Sequence, residues 1–123
     1  MQPIVNLVRN GLGWILAIAD KATRPEPIKR TQQQQQDVEE EAQKLSIYQF
    51  YGCPFCVKVR RAVHRLNLPI EYRDAQNNSR HRTELKKGGG KIQVPCLRID
   101  REDQTKWMYE SSDIVDFLEE RFE

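Results

Sequence analysis

An α/β fold is predicted: a short mixed four-stranded sheet with helices on both faces, in the order β-α-β-α-β-β-α, preceded by an amphipathic helical tail. Three observations carry this. Runs of strand length alternate with stretches whose apolar residues recur at helical spacing. The first two strand-like runs flank one helical stretch, which makes them parallel neighbours joined by a crossover. The last two are separated only by the polar turn Asp100 to Gln104, which makes them a hairpin.

Leu45 to Phe50 is β-branched and aromatic, as a strand should be. Pro54 to Leu66 spaces Val59, Val63 and Leu66 at helical intervals, with Pro54 suited to the first turn. Ile70 to Arg73 reads as the second strand. Asn78 can cap a helix through Lys87, and Gly88-Gly89-Gly90 ends it. Ile92 to Ile99 and Lys106 to Tyr109 read as the last two strands. A final helix from about Ser112 to Phe122 carries the apolar stripe Ile114, Val115, Leu118 and Phe122.

The chain divides into an apolar segment over 1–20, a linker over 21–36 and a globular domain over 37–123. Pro25, Pro27 and the run Gln32 to Gln36 give the linker too little apolar surface to offset ordering entropy, so it is expected to be mobile. Asp37 to Lys44 is expected to form a short helix leading into the domain.

The formal net charge of +2 gives no basis for a nucleic-acid partner, which would need basic residues gathered on one surface. Cys53, Cys56 and Cys96 are too few for a structural disulfide framework. One close pair suits a reducing compartment in which it cycles, hence the cytoplasm.

Cys53 lies where a strand hands over to a helix. Free N–H groups and the helix dipole there lower a thiol from about 8.5 into roughly the 3.5–7.5 range. Cys56 follows one turn further in, close enough to resolve a mixed disulfide. Among the basic residues of this helix, Lys58 is expected to add positive potential at the site. Arg60, Arg61 and Arg65 read as a solvated face. No metal is expected: Cys96, His64 and His81 match no common zinc spacing. Cys96 reads as buried and inert, with a third redox thiol as the alternative. His64 and His81 read as surface residues.

Three motifs in order resemble the dithiol glutaredoxin family, within the thioredoxin fold: Cys53-Pro54-Phe55-Cys56, Val94-Pro95 and Glu110-Ser111-Ser112-Asp113. The resemblance covers Leu45 to Glu123. It implies an enzyme that reduces protein disulfides and glutathione mixed disulfides, with Cys53 attacking and Cys56 resolving. Pro54, Phe55 and a cis Pro95 would support the site. Val94, Glu110, Ser111, Ser112, Asp113 and Lys58 would bind glutathione, the co-substrate, with no bound cofactor. Disulfide-containing or glutathionylated proteins would be the partners.

The stretch Val94 to Phe122 is also similar to the amino-terminal half of glutathione transferases. Those enzymes carry a large helical second domain, which the chain after Phe122 does not supply, so a transferase is not expected. Two departures concern glutathione. Phe50 stands where glutaredoxins commonly carry Lys or Arg, and Ile92 and Gln93 replace basic or threonine residues before Val-Pro. The alternative function is therefore a membrane-held disulfide-exchange protein with a dedicated protein partner and little use of glutathione. A cluster carrier is a third reading, against which Pro54 weighs.

On a helix, Ile4, Val5, Val8, Leu12, Ile15, Leu16 and Ala19 share one face, and Trp14 lies near its boundary. That pattern reads as peripheral membrane association. Arg9 and Asn10 argue against a span of about 20 apolar residues. A signal peptide ending at Ala17-Ile18-Ala19 and a helix docked on the domain or a partner are the alternatives. Lys21, Arg24, Lys29 and Arg30 would keep the domain on the cytoplasmic side, at the inner face of the membrane.

Overall fold

The computed structural model describes residues 26–123, so the tail expected over 1–20 lies outside the described residues. Among the described residues eight elements follow one another: α1 (Gln32–Ala42), β1 (Leu45–Gln49), α2 (Pro54–Arg65), β2 (Glu71–Asp74), α3 (Ser79–Gly89), β3 (Cys96–Asp100), β4 (Thr105–Met108) and α4 (Ser111–Phe122). The sheet order is β2-β1-β3-β4. β1 runs parallel to β2, with Ser46 opposite Glu71, and antiparallel to β3, with Ile47 opposite Leu97. β3 and β4 form the hairpin. This is the mixed, thioredoxin-like α/β sheet predicted from the alternation of periods.

Side-chain alternation divides the core in two. Leu45 and Ile47 of β1, with Leu97 and Ile99 of β3, pack against Val59 and Val63 of α2 and Ile114, Leu118 and Phe122 of α4. Tyr48 and Cys96 point the other way and meet Leu85 of α3. β1, central in the sheet, is thus covered on both faces, as its LSIYQ sequence allows. The Tyr48 hydroxyl accepts from Arg73 Nη1 (2.8 Å) and Arg98 Nη1 (3.1 Å), so this buried phenol is well satisfied.

Several boundaries differ from expectation, each for a local reason. The glutamine run is helical: Thr31 caps α1 and Gln34 completes a capping box, so the helix begins five residues before Asp37. The chain just before it is tied down as well. Ile28 N–H donates to the Arg65 carbonyl (2.9 Å), and Arg30 Nη2 donates to the Phe122 carbonyl (2.8 Å). Ile92 to Val94 are not strand. The Val94–Pro95 peptide is cis and proline has no N–H for a ladder, so β3 starts at Cys96. His81 and His64 are half-buried rather than on the surface, and the His81 ring stands edge-on to Tyr48 at 6.3 Å.

The glycine run does more than end α3. Gly90 takes the left-handed cap conformation at φ 92°. Gly88 and Gly89 lie still within the helix, where they let the rings of Trp107 and Tyr109 close onto it. A methyl group at Gly89 would overlap the Tyr109 hydroxyl, whose hydrogen bond to the Lys91 carbonyl (3.0 Å) fixes the loop before Pro95. Gly89→Ala is therefore expected to lose about 1–3 kcal/mol by overpacking, despite alanine's better helix propensity. Urea unfolding of the variant beside the wild type measures this, and a gain in stability would contradict it.

Candidate functional site

The chain turns at Phe50 to Gly52, where the Cys53 N–H donates back to the Phe50 carbonyl (3.2 Å). Cys53 is the N-cap of α2, with extended backbone, and Pro54 follows at the first helical position. Proline suits that place because its fixed φ is helical and no donor is needed there. The Cys53 side chain makes no cap bond, which leaves its half-buried sulfur available. One turn on, Cys56 is buried beneath it. All three cysteines are free thiols.

The two sulfurs are unequal. The Cys56 thiol hydrogen-bonds to the Cys53 sulfur and is the largest influence lowering Cys53, to about 6. Partial burial opposes this, while the backbone amides of Cys56 and Phe55 and the charge of Arg60 reinforce it. The sequence points to the helix start and to Lys58 for this work; the helix amides rank behind the neighbouring thiol, and the charge is that of Arg60 rather than Lys58. Cys56 moves far upward, first because it donates to Cys53 and then because it is buried. The pair titrates as a unit, holding one negative charge, and Cys53 carries it.

The positive charge near the pair comes from a residue read as solvated. Arg60 is only 5% exposed. Its Nη1 donates to Gln49 Oε1 (2.7 Å), its Nη2 to the Tyr51 carbonyl (2.6 Å), and its guanidinium stacks over the Tyr51 ring at 4.9 Å. The missed signal was spacing. Arg60 stands four residues after Cys56, on the same helix face. Lys58 instead reaches α4, donating to Ser112 Oγ at 3.1 Å.

Pro95 is buried and cis, and precedes Cys96 on the strand beside β1. Val94 is half-buried against the Tyr48 cluster, as is Phe50. Ser111 and Ser112 open α4, and Glu110 rather than either serine is its N-cap, without a side-chain cap bond. The first intrahelical bond there runs from Ile114 N–H to the Glu110 carbonyl (2.9 Å), so the amides of Ser111 to Asp113 have no helical acceptor. Glu110, Ser112 and Asp113 are exposed. The Phe55 ring does not pack behind the dithiol, being 62% exposed. Its contribution to Cys53 is its backbone amide. Cys96 is fully buried and pushed up to about 12 by that burial, with the Tyr109 hydroxyl, the Met108 backbone and the Lys91 charge acting against it.

Among the described residues, no group of three or more His, Cys, Asp and Glu could hold a metal ion. No described helix is long and apolar enough to cross a membrane. An open groove of about 620 Å³, floored by Leu45, Ile99, Phe117 and Phe122, lies at the start of β1 and the end of β3. That is the opposite end of the sheet from Cys53, which follows the end of β1.

The model of the family described as glutathione S-transferase, N-terminal domain, matches residues 47–123. The chain belongs to this family. The match spans far more than the stretch Val94 to Phe122 and bears out the similarity to the amino-terminal half of glutathione transferases. The dithiol glutaredoxin family, which the Cys53-Pro54-Phe55-Cys56 motif resembles, is not the one matched. Among solved structures, maleylacetoacetate isomerase from Anaeromyxobacter dehalogenans 2CP-1, with bound GSH in its active site, is similar at a TM-score of 0.50 and 23% identity. Glutathione transferase Omega 3C from Trametes versicolor is similar at 0.53 and 22%. At such identities the likeness shows the fold. The matches cover 64% and 77% of this chain but 38% and 42% of those, so it spans about two fifths of their length. No curated protein matches the chain.

The inequality of the thiols gives a direct expectation. Iodoacetamide reacts with the thiolate, so alkylation of Cys53 should rise with pH, reach half its maximum near pH 6 and flatten above it. Cys56 and Cys96, both buried, should stay unmodified while the protein is folded. Peptide mapping after a timed pulse at each pH reads all three at once, and a Cys53 midpoint near 8.5 would contradict the geometry.

Proposed function

We propose that this chain is a glutathione-linked thiol–disulfide oxidoreductase, with Cys53 as attacking thiolate and Cys56 as resolving thiol. The observation that carries the reading is the paired, unequal dithiol at the start of α2. One sulfur is accessible and ionised near neutral pH, and the other is buried, protonated and donating to it.

The Cys53 thiolate attacks one sulfur of a substrate disulfide. A Cys53–substrate bond forms as the substrate's own S–S bond breaks, and the departing thiolate takes up a proton. Forming this mixed disulfide removes the negative sulfur that holds the proton on Cys56, so the Cys56 thiol becomes easier to ionise when it is needed. Cys56 then attacks Cys53, releasing the second substrate thiol and leaving a Cys53–Cys56 disulfide. Two glutathione molecules restore the dithiol, the first forming a mixed disulfide with Cys53 and freeing Cys56. The second releases oxidised glutathione. Electrons thus pass from two thiols to one disulfide at each stage.

Glutathione would lie extended along the backbone at Val94, beside the cis Pro95, as a short added strand. Its γ-glutamyl carboxylate would meet the free amides of Ser111 to Asp113, with Ser112 already paired to Lys58. Glu110 sets the helix start that presents them. Glutathione is a co-substrate in this scheme, which uses no bound cofactor. The domain would work in the cytoplasm, held at the inner membrane face by residues 1–20.

Phe50 favours a second reading, in which a dedicated protein partner replaces glutathione. Its half-buried side chain packs against the Tyr48 and Cys96 cluster and offers no charge to a ligand carboxylate. Such a charge-assisted hydrogen bond is worth roughly 1.5–3 kcal/mol, so glutathione should bind weakly.

The Cys56→Ser variant separates the routes. It should keep most of the activity on a glutathionylated peptide, where external glutathione can resolve Cys53, and lose most of it on a protein disulfide. Equal loss on both substrates would assign Cys56 a structural role and remove the dithiol mechanism.

A further inference from the structure

The geometry points to Arg60 as a positioning residue for the dithiol, holding a fixed, buried positive charge behind the Phe50–Cys53 turn so that Cys53 stands ionised. This rests on the reading of Cys53 as the attacking thiolate.

Three features of Arg60 have no role in a solvated helix face. It is buried although arginine is almost never so without a reason. Its two terminal nitrogens hold the strand end and the turn that follows, donating to the Gln49 side chain at the end of β1 and to the Tyr51 carbonyl within the turn. Its Nε is buried without an acceptor, a defect that fold stability alone gives no reason to keep. The fork of hydrogen bonds fixes where the charge sits, and burial keeps it from being screened.

Arg60 is also the charged side chain felt at both sulfurs, acting downward on each. Gln49 and Tyr51, its partners, carry no negative charge that would cancel it at neutral pH. Lys58, two residues before it on α2, is turned to Ser112. Arg60 touches no reacting atom in this scheme; it acts through the turn and through its field.

The test is the pH midpoint of Cys53 alkylation in the full chain, for the wild type and three variants. Arg60→Met removes the charge, the last-ranked of the influences on Cys53, and should move the midpoint up by roughly a few tenths of a unit, slowing alkylation at pH 6 about twofold. Arg60→Lys returns a charge without the fork and should recover most of the shift. Gln49→Glu keeps the guanidinium and both hydrogen bonds but sets a carboxylate against it, and should also move the midpoint upward. It decides the matter if Arg60→Met fails to fold, as judged by near-ultraviolet circular dichroism.

A wild-type midpoint near 6 that stays unmoved in Gln49→Glu and in folded Arg60→Met would overturn the inference and leave the proposed function standing. A shift equally large in Arg60→Lys would assign the effect to the lost clamp and overturn the role of the charge. A wild-type midpoint near 8.5 would instead remove the standing thiolate, and this inference would fall with it.

Discussion

Cys53 and Cys56 share one negative charge between two sulfurs, and the surrounding fold decides which of them holds it. The turn closed by Cys53 N–H on the Phe50 carbonyl puts the first sulfur at a helix start, half in solvent. The rise of α2 carries the second sulfur inward, where ionisation is penalised by burial. Neither cysteine alone would show so large a difference. Each is displaced chiefly by the hydrogen bond to the other, and that bond exists because Cys53 caps a proline-started helix whose first turn carries Cys56.

That junction depends in turn on how β1 is held. The strand is central, paired on both edges, and covered by α2 and α4 on one face and α3 on the other. Cys96 opens β3 beside it, opposite Tyr48, with the cis Pro95 just before the strand. On the far side, the Gly88 and Gly89 backbone against Trp107 and Tyr109 holds the loop that delivers Pro95. The second core cluster is therefore part of the site's support. Phe50, whose carbonyl closes the turn at Cys53, packs against that cluster.

The strands, their pairing and the helix behind Cys53 were legible because their apolar residues obey two clean periods. The helix at Gln32 was not, because a glutamine run was weighed by composition. Glutamine is a good helix former, and Thr31 with Gln34 supplies a capping box that the same sequence displays. The cysteine pair was legible from its place at a strand–helix boundary. The cause of its asymmetry was not, since it lies in a sulfur-to-sulfur contact and a buried guanidinium. Arg60 was hidden by its neighbours Lys58 and Arg61, which made the whole basic stretch look like one solvated face. Only packing separates a charge that Tyr51 covers from one that reaches across to Ser112.

Family membership and chemistry draw on different parts of this molecule. The match spans residues 47–123, the stretch that holds the four-stranded sheet from Ile47 on, the cis Val94–Pro95 peptide and α4. A scaffold of this kind hosts more than one reaction, and the site decides among them. The groove among Leu45, Ile99, Phe117 and Phe122 opens at the wrong end of the sheet to bring a ligand to Cys53. What acts on Cys53 is a buried thiol, the backbone amides of Cys56 and Phe55, and the charge of Arg60. The proposed exchange draws its attacking sulfur, its resolving sulfur and its charge from residues 49–60 alone. In that proposed exchange the second sulfur has a use, attacking the mixed disulfide on Cys53. Burying Cys56 protonated beneath Cys53 makes sense when a mixed disulfide must be broken from within.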